Sequence, residues 1–204
     1  MILLSEIAGL YSLIELVFLS LPANFLYQVE TDKKEALIEV YQSNGAEKVK
    51  GLVGDVYITN LDKENNYLCL RTSEVAYTEF KVCEADDLKV LFINEVTCGP
   101  ACDSKVQIYE AESFEPRDFS CFIQPADIED FLDVEKIEKD NLTVRDVISK
   151  IDLPFYKYDF SSADKVTVEI DVKNNLSKDD CMFVNKYLHS LTYKWNGMIY
   201  EISE

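Results

Sequence analysis

Histidine and glycine are scarce in this sequence. Its 204 residues include 1 His and 6 Gly. No glycine-rich phosphate-binding or dinucleotide-binding motif occurs, and the G-x-S-x-G and H-E-x-x-H signatures of hydrolases and zinc peptidases are missing. His189, the single histidine, falls in a predicted helix with no nucleophile placed beside it by sequence. We therefore predict a protein that is not an enzyme, without catalytic or cofactor-binding residues.

Runs of lysine or arginine are also missing. The chain has 20 Lys and Arg against 38 Asp and Glu, which gives a net charge of −18. Such a charge repels phosphate backbones and anionic lipid surfaces, so the sequence favours neither direct nucleic-acid binding nor membrane binding. The same charge attracts cations, and we predict a basic partner protein. The alternative is that the carboxylates only keep the protein soluble.

Cysteine is present in 6 copies, but its spacing does not match a metal site. Four of the thiols fall within predicted strands or a predicted helix, where small buried cysteines are common. Cys98 and Cys102 form one C-x-x-x-C pair without a nearby histidine, which supplies too few ligands for tetrahedral zinc. We therefore predict no metal and no cofactor. The sequence leaves open whether this pair forms a disulfide or stays reduced.

A long uncharged apolar run is absent as well. The segment Met1–Leu21 is apolar, but Glu6 and Glu15 interrupt it and no basic residue precedes it, so it matches neither a membrane span nor a secretory signal. It predicts instead a helix of a cytoplasmic protein, capped by Ser5 and ended by Pro22. Its apolar surface is wider than one sheet face covers, so either the rest of the chain buries it or it forms an oligomer contact.

Strand-forming segments are abundant between Gly51 and Ile123. Short runs rich in Val, Ile, Tyr, Phe and Thr alternate there with polar turn residues. The predicted strands are Leu52–Thr59, Tyr67–Thr72, Val75–Cys83, Leu88–Ile93, Lys105–Tyr109 and Phe119–Ile123. Helical patterns lie mainly before and after this series, so we predict an α+β fold, an antiparallel β meander covered by N-terminal and C-terminal helices. Alternation in Val75–Cys83 indicates that one face of the sheet meets solvent.

The C-terminal third has the clearest local pattern. Lys165–Val172 alternates apolar and polar residues as a strand does, a capped helix follows, and Asn196-Gly197 predicts a terminal β-hairpin. An aromatic segment followed by two serines is typical of a hinge. We therefore predict a main α+β domain over residues 1–160 and a strand-helix-hairpin unit over residues 161–204, packed on the same core.

Two surfaces are candidates for binding a partner. The segment from Glu110 to Asp140 is strongly acidic and could steer a basic protein. The terminal hairpin carries the single Trp of the chain, and on the predicted sheet face a Tyr lies on either side of it. Trp and Tyr side chains are common at binding hot spots. The predicted partner-binding residues are Asp127, Glu129, Asp130, Asp133, Glu135, Glu138, Tyr193, Trp195 and Tyr200. The structural alternatives are a solvated helix face for the carboxylates and a lid on the core for the aromatic residues.

These patterns together predict a non-enzymatic interaction protein. It would be an acidic inhibitor, an immunity-type protein or an assembly subunit that binds a basic partner through its carboxylates. Two other hypotheses stay open. One is a small enzyme that uses carboxylates with Mg²⁺ or as acid and base. The other is a structural subunit with the N-terminal helix and the terminal hairpin as obligate interfaces.

Overall fold

A computed structural model describes residues 10–173 and 176–203 of the chain. Its contacts group the residues into two units. Unit 1 holds the described residues up to Glu95 together with Lys105–Phe119, and unit 2 holds Val96–Ser104 and the described residues from Ser120 onward. The boundary expected at residue 160 falls inside unit 2, because the aromatic segment before it forms a strand that pairs with the C-terminal strands.

Unit 1 is built on a seven-stranded antiparallel sheet whose strand order follows the chain. Its strands are β1 Val49–Lys50, β2 Asp55–Asp62, β3 Tyr67–Arg71, β4 Ala76–Ala85, β5 Leu88–Cys98, β6 Cys102–Glu110 and β7 Pro116–Arg117. The ends of β5 and β6 that lie within Val96–Ser104 are grouped with unit 2. This order is the predicted meander, and the α+β class is confirmed.

Helices pack on one face of this sheet. They are α1 Leu13–Ser20, which contacts β4, and α2 Lys33–Asn44, which contacts β2. The ring of Phe18 meets that of Phe80 edge-on, with centroids 5.6 Å apart. Of the helix predicted over Met1–Leu21, residues 1–9 with the predicted cap Ser5 lie outside the described residues, and α1 covers Leu13–Ser20.

The opposite face of β4 is buried, so the expected solvent-exposed face is wrong for this strand. Glu79 and Lys81 are only 3% and 2% exposed. The Tyr67 hydroxyl donates to the Glu79 carboxylate at 2.7 Å, and the Lys81 ammonium donates to the Asn65 carbonyl at 2.8 Å. Burial and the neighbouring Glu79 charge raise the pKa of Tyr67. These hydrogen bonds offset the cost of removing the polar groups from water.

Other strand predictions also need correction. The chain forms a 3-10 turn at Phe119–Cys121 where a strand was expected, and only Ile123 makes a bridge, to Tyr200. The sequence does not predict β1 and β7, because a strand of two residues is too short to show an alternation of apolar and polar side chains.

Unit 2 contains a four-stranded antiparallel sheet in the order β11-β10-β9-β8. Its strands are β8 Phe155–Asp159, β9 Lys165–Asp171, β10 Leu191–Trp195 and β11 Tyr200–Ile202, and its helices are α3 Val134–Lys139, α4 Val144–Ile148 and α5 Lys178–Asn185. A 3-10 turn at Ile128–Phe131 precedes α3. Leu132, Ile137, Val147 and Tyr187 form a small core of this unit. None of the helices within the described residues is long and apolar enough to cross a membrane.

The terminal hairpin forms as predicted, with a loop of four residues. Trp195 pairs with Tyr200, so residues 196–199 make the turn. The Asn196 side chain accepts two hydrogen bonds of 2.9 Å from backbone N–H groups of this loop. Gly197 adopts a φ of +101°, which only glycine adopts readily. Both residues of the predicted Asn196-Gly197 turn therefore stabilise it, Asn196 through its side chain and Gly197 through its backbone conformation.

Candidate functional site

The six predicted carboxylates lie along one stretch of unit 2, on the turn Ile128–Phe131, on α3 and on the residues that begin them. We call this set the acidic ridge: Asp127, Glu129, Asp130, Asp133, Glu135 and Glu138. All six are exposed. Among the described residues, none of them forms an ion pair with a lysine or arginine. The ridge is therefore a source of uncompensated negative charge.

Part of the acidic ridge also serves local structure. The Asp130 carboxylate accepts a hydrogen bond of 2.8 Å from the backbone N–H of Asp127, and Asp133 accepts one of 3.0 Å at the start of α3. Both carboxylates lie at the N-terminal ends of helical turns, where negative charge is favourable. Asp127 is the N-cap residue of the turn Ile128–Phe131 and forms a capping box with Asp130. Glu129, Glu135 and Glu138 have no such local role, and these three are left for a partner.

The aromatic half of the predicted partner site is mostly core. Tyr193 and Tyr200 are 1% and 0% exposed, so neither is available to a partner, and their assignment as partner-binding residues is wrong. The reason is that the sheet face they share is the inner one. Trp195 is half-buried, with its ring centroid 4.9 Å from that of Tyr200. Of the three aromatic residues, only Trp195 remains a predicted contact.

A polar hollow in unit 2 contains His189. Two ion pairs line it, with 3.8 Å between Lys157 and Glu169 and 3.2 Å between Lys173 and Asp171. The His189 Nδ1 atom lies 3.2 Å from the carbonyl oxygen of Ser190. The two ion pairs neutralise the charges of the lysines and carboxylates that line the hollow. Within the described residues, no three His, Cys, Asp or Glu side chains converge as metal ligands.

Cys98 and Cys102 are joined by a disulfide across the turn between β5 and β6. The backbone N–H of Cys102 lies 3.4 Å from the Asp171 carboxylate, a long and weak hydrogen bond. Of the two alternatives that the sequence leaves open for this pair, the structure has the bonded one.

Unit 1 contains an aromatic cleft that the sequence does not reveal. Phe25, Tyr27, Tyr109 and Phe114 line this hollow of about 540 Å³ and define the name. The centroid of Phe25 lies 4.6 Å from that of Tyr109 and 5.7 Å from that of Phe114, with interplanar angles of 58° and 61°. Tilted and edge-on ring pairs are a preferred packing arrangement of aromatic side chains, and here the four side chains also border an open hollow.

Polar side chains border the aromatic cleft. The Lys105 ammonium lies 3.5 Å from the Glu95 carboxylate, and both side chains are largely exposed, at 67% and 40%. The Gln107 amide donates a hydrogen bond of 2.8 Å to the Tyr109 hydroxyl. The cleft therefore combines aromatic walls with a carboxylate, an ammonium group and an amide oxygen.

Phe114 reaches the cleft from an unfavourable backbone conformation. It lies in the turn between β6 and β7 with a φ of +58°. Its backbone N–H donates to the Glu110 carbonyl at 2.9 Å, and the Glu110 N–H donates to the Glu115 carbonyl at 2.9 Å, which fixes the turn. For a bulky residue this left-handed conformation costs on the order of 1 kcal/mol.

Comparisons with known proteins show the fold and the family. A family model described as a protein of unknown function (DUF3256) matches residues 12–200. No curated protein matches the sequence. Among solved structures, a domain of an uncharacterized protein from Porphyromonas gingivalis W83 superposes with a TM-score of 0.77 at 18% sequence identity, covering 94% of this chain and 98% of that chain. At this identity the likeness concerns the fold alone.

Proposed function

The chain belongs to the DUF3256 family, and because that family description assigns no activity, we propose from the charge arrangement that the protein is a non-enzymatic binding protein for a basic partner protein. The observation that carries the proposal is the acidic ridge, whose six exposed carboxylates have no cationic partner among the described residues. Exposed, unpaired carboxylates are the groups that a basic surface can neutralise without first breaking an internal ion pair.

The net charge of the whole chain attracts a basic partner, while the acidic ridge determines where on the surface that partner binds. Acidic residues are divided almost evenly between the two units, so the net charge of −18 attracts cations from every side without selecting a surface. Screening limits this attraction to about 8–10 Å at physiological salt. Specific contact therefore has to come from local groups, for which Glu129, Glu135 and Glu138 are proposed, with Trp195 as the apolar contact. An inhibitor, an immunity-type protein or an assembly subunit would use such a surface.

The compartment is part of this proposal. The Cys98–Cys102 disulfide favours an oxidising compartment, since reducing cytosols rarely retain such bonds. We infer that the oxidising compartment is the better match. Alkylation of the protein in its native host before lysis tests this: blocked thiols at Cys98 and Cys102 would place it in a reducing compartment instead.

A pair of matched variants tests the ridge. The first carries Glu129→Gln, Glu135→Gln and Glu138→Gln, and the second carries three Glu→Gln changes at exposed positions of unit 1, Glu30, Glu39 and Glu64. Both lose the same charge. Binding to a small basic probe protein, cytochrome c, is measured by calorimetry at low and high salt.

We expect the ridge variant to bind about tenfold more weakly than the control variant at low salt, because each exposed ion pair contributes about 0.2–1 kcal/mol. Salt should reduce the affinity of the unmodified protein for cytochrome c, and it should also reduce the difference in affinity between the ridge variant and the control variant. If both variants bind equally weakly, only the net charge matters and the ridge has no special role. If the affinity does not change with salt concentration, the binding is not electrostatic and the proposal fails.

A further inference from the structure

We propose that the aromatic cleft of unit 1 is a binding site for an organic cation, meaning an alkylammonium or guanidinium group. The inference uses no residue of the acidic ridge and does not depend on the ridge having a function. It stands on three observations in one place: ring faces that enclose a space, an accessible carboxylate at its border, and a phenylalanine held in a conformation that phenylalanine disfavours.

The ring arrangement suits a cation. An aromatic face carries partial negative charge, so a cation within about 6 Å of a ring centroid is attracted to it. Phe25, Tyr109 and Phe114 all line the cleft, so a group that enters it meets more than one ring. Tyr27 adds a fourth ring and is 64% exposed. That ring is therefore positioned to meet a ligand arriving from solvent.

The charged groups favour a cation over an anion. Glu95 holds Lys105 at 3.5 Å, and because both side chains are exposed, this ion pair is weak and easily opened. An entering cation can replace Lys105 on the Glu95 carboxylate. Gln107 uses its amide nitrogen on Tyr109, which leaves its amide oxygen to accept from a guanidinium or ammonium group. The chain's net charge of −18 further disfavours an anionic ligand.

Phe114 gives the independent reason to regard the cleft as a site. The other non-glycine residues described with a positive φ are Asn66, Asp86 and Asn141, which are residue types that tolerate this conformation. Phenylalanine does not. A glycine or asparagine would suit the turn better, so the ring of Phe114 has a role that the turn itself does not require. Packing on Phe25 and against the hydrophobic core of unit 1 is the competing role, and the variants below separate this role from cation binding.

The experiment compares each cation with a neutral molecule of the same shape by NMR titration of the full chain. Choline is paired with 3,3-dimethylbutan-1-ol, and a blocked Gly-Arg-Gly peptide is paired with its citrulline counterpart. We expect at least one cation to bind about 3- to 30-fold more tightly than its neutral partner. Preference for choline indicates a free small molecule as the source of the cation, and preference for the arginine peptide indicates a protein side chain. Equal binding within both pairs, or binding of neither cation, overturns the proposal.

Three variants assign the effect to the cleft. Phe114→Gly removes the ring and relieves the backbone, so it should remain folded and lose the preference for the cation. Asn66→Gly gives the same backbone relief at a φ of +49° without losing a ring, and should keep the preference. Lys105→Met removes the resident cation from Glu95 and should tighten cation binding by a fewfold. If Phe114→Gly keeps the preference, or if Lys105→Met abolishes binding, the cleft does not act as proposed.

Discussion

Replacement of Glu15 by glutamine should destabilise the protein more than any exposed Glu→Gln change. The Glu15 carboxylate is fully buried on α1. It accepts hydrogen bonds of 2.7 and 2.8 Å from the backbone and hydroxyl of Ser12 and one of 2.7 Å from the Gln42 amide, and it lies 2.9 Å from the Lys63 ammonium. Every donor around it points at a charged acceptor. A glutamine would bring an N–H₂ group to face these donors.

The expected magnitude follows from these contacts. Breaking a buried ion pair by removing one partner costs about 3–5 kcal/mol. Lys63 is 45% exposed, so it can turn towards water, and the lower end of this range applies. We therefore expect Glu15→Gln to lower the free energy of unfolding by about 3 kcal/mol. The measurement is urea unfolding at neutral pH, with Glu39→Gln on the exposed side of α2 as the control, for which less than about 0.5 kcal/mol is expected.

The pH dependence gives a second readout. Burial by itself raises the pKa of Glu15, but the hydrogen bonds from Lys63 and Ser12 outweigh it, and the pKa stays below its ordinary value. A carboxyl whose pKa is lower in the folded state stabilises the protein above its unfolded pKa of about 4.3, and this contribution disappears as the pH falls through the folded value. The glutamine variant should lack that part of the acid-induced loss. A variant with unchanged stability, or with the acid dependence of the unmodified protein, would refute the reasoning.

Features that depend on neighbours in sequence are the ones that the sequence predicts well. Ser177 and Thr143 begin α5 and α4, each accepting a hydrogen bond from the backbone N–H three residues ahead, as serine and threonine typically do before a helix. The strand over Lys165–Asp171 has its predicted inward residues buried. Capping, alternation and turn formation involve interactions across a few residues, so the local pattern contains the information needed.

Burial of polar residues is where the sequence misleads. Glu79 and Lys81 alternate with apolar residues as they would on a strand with one solvated face, yet both are buried. The same alternation places Tyr193 and Tyr200 on one face without saying whether that face is covered. Which face of a sheet is covered depends on distant segments, and the partner that satisfies a buried carboxylate, here Tyr67, is twelve residues away.

The aromatic cleft could not be predicted for a related reason. Its rings come from the 3-10 turn at Ala23–Phe25, from the residues just after it, from β6 and from the turn between β6 and β7. No spacing in the sequence relates Phe25 to Phe114, and the left-handed conformation of Phe114 has no signal in a sequence that places neither glycine nor asparagine there. The acidic ridge, by contrast, is contiguous, and its exposure follows from composition. A site assembled from separate segments needs the fold before it can be recognised.

Two further predictions concern ionisable groups whose surroundings differ from water. Lys34 is fully buried and donates to the Leu21 carbonyl, and burial lowers its pKa. Because the unfolded chain then binds more protons, stability should rise with pH towards about 10.4, and urea unfolding should show this rise in the unmodified protein but not in Lys34→Met. Hydrogen bonds from Lys186 and from the Tyr187 hydroxyl, the latter at 2.7 Å, lower the pKa of Asp140. Tyr187→Phe removes one of these donors, so carboxyl NMR titration should show the Asp140 pKa moving up towards its ordinary value, and an unchanged pKa would mean that the hydroxyl does not hold that carboxylate in solution.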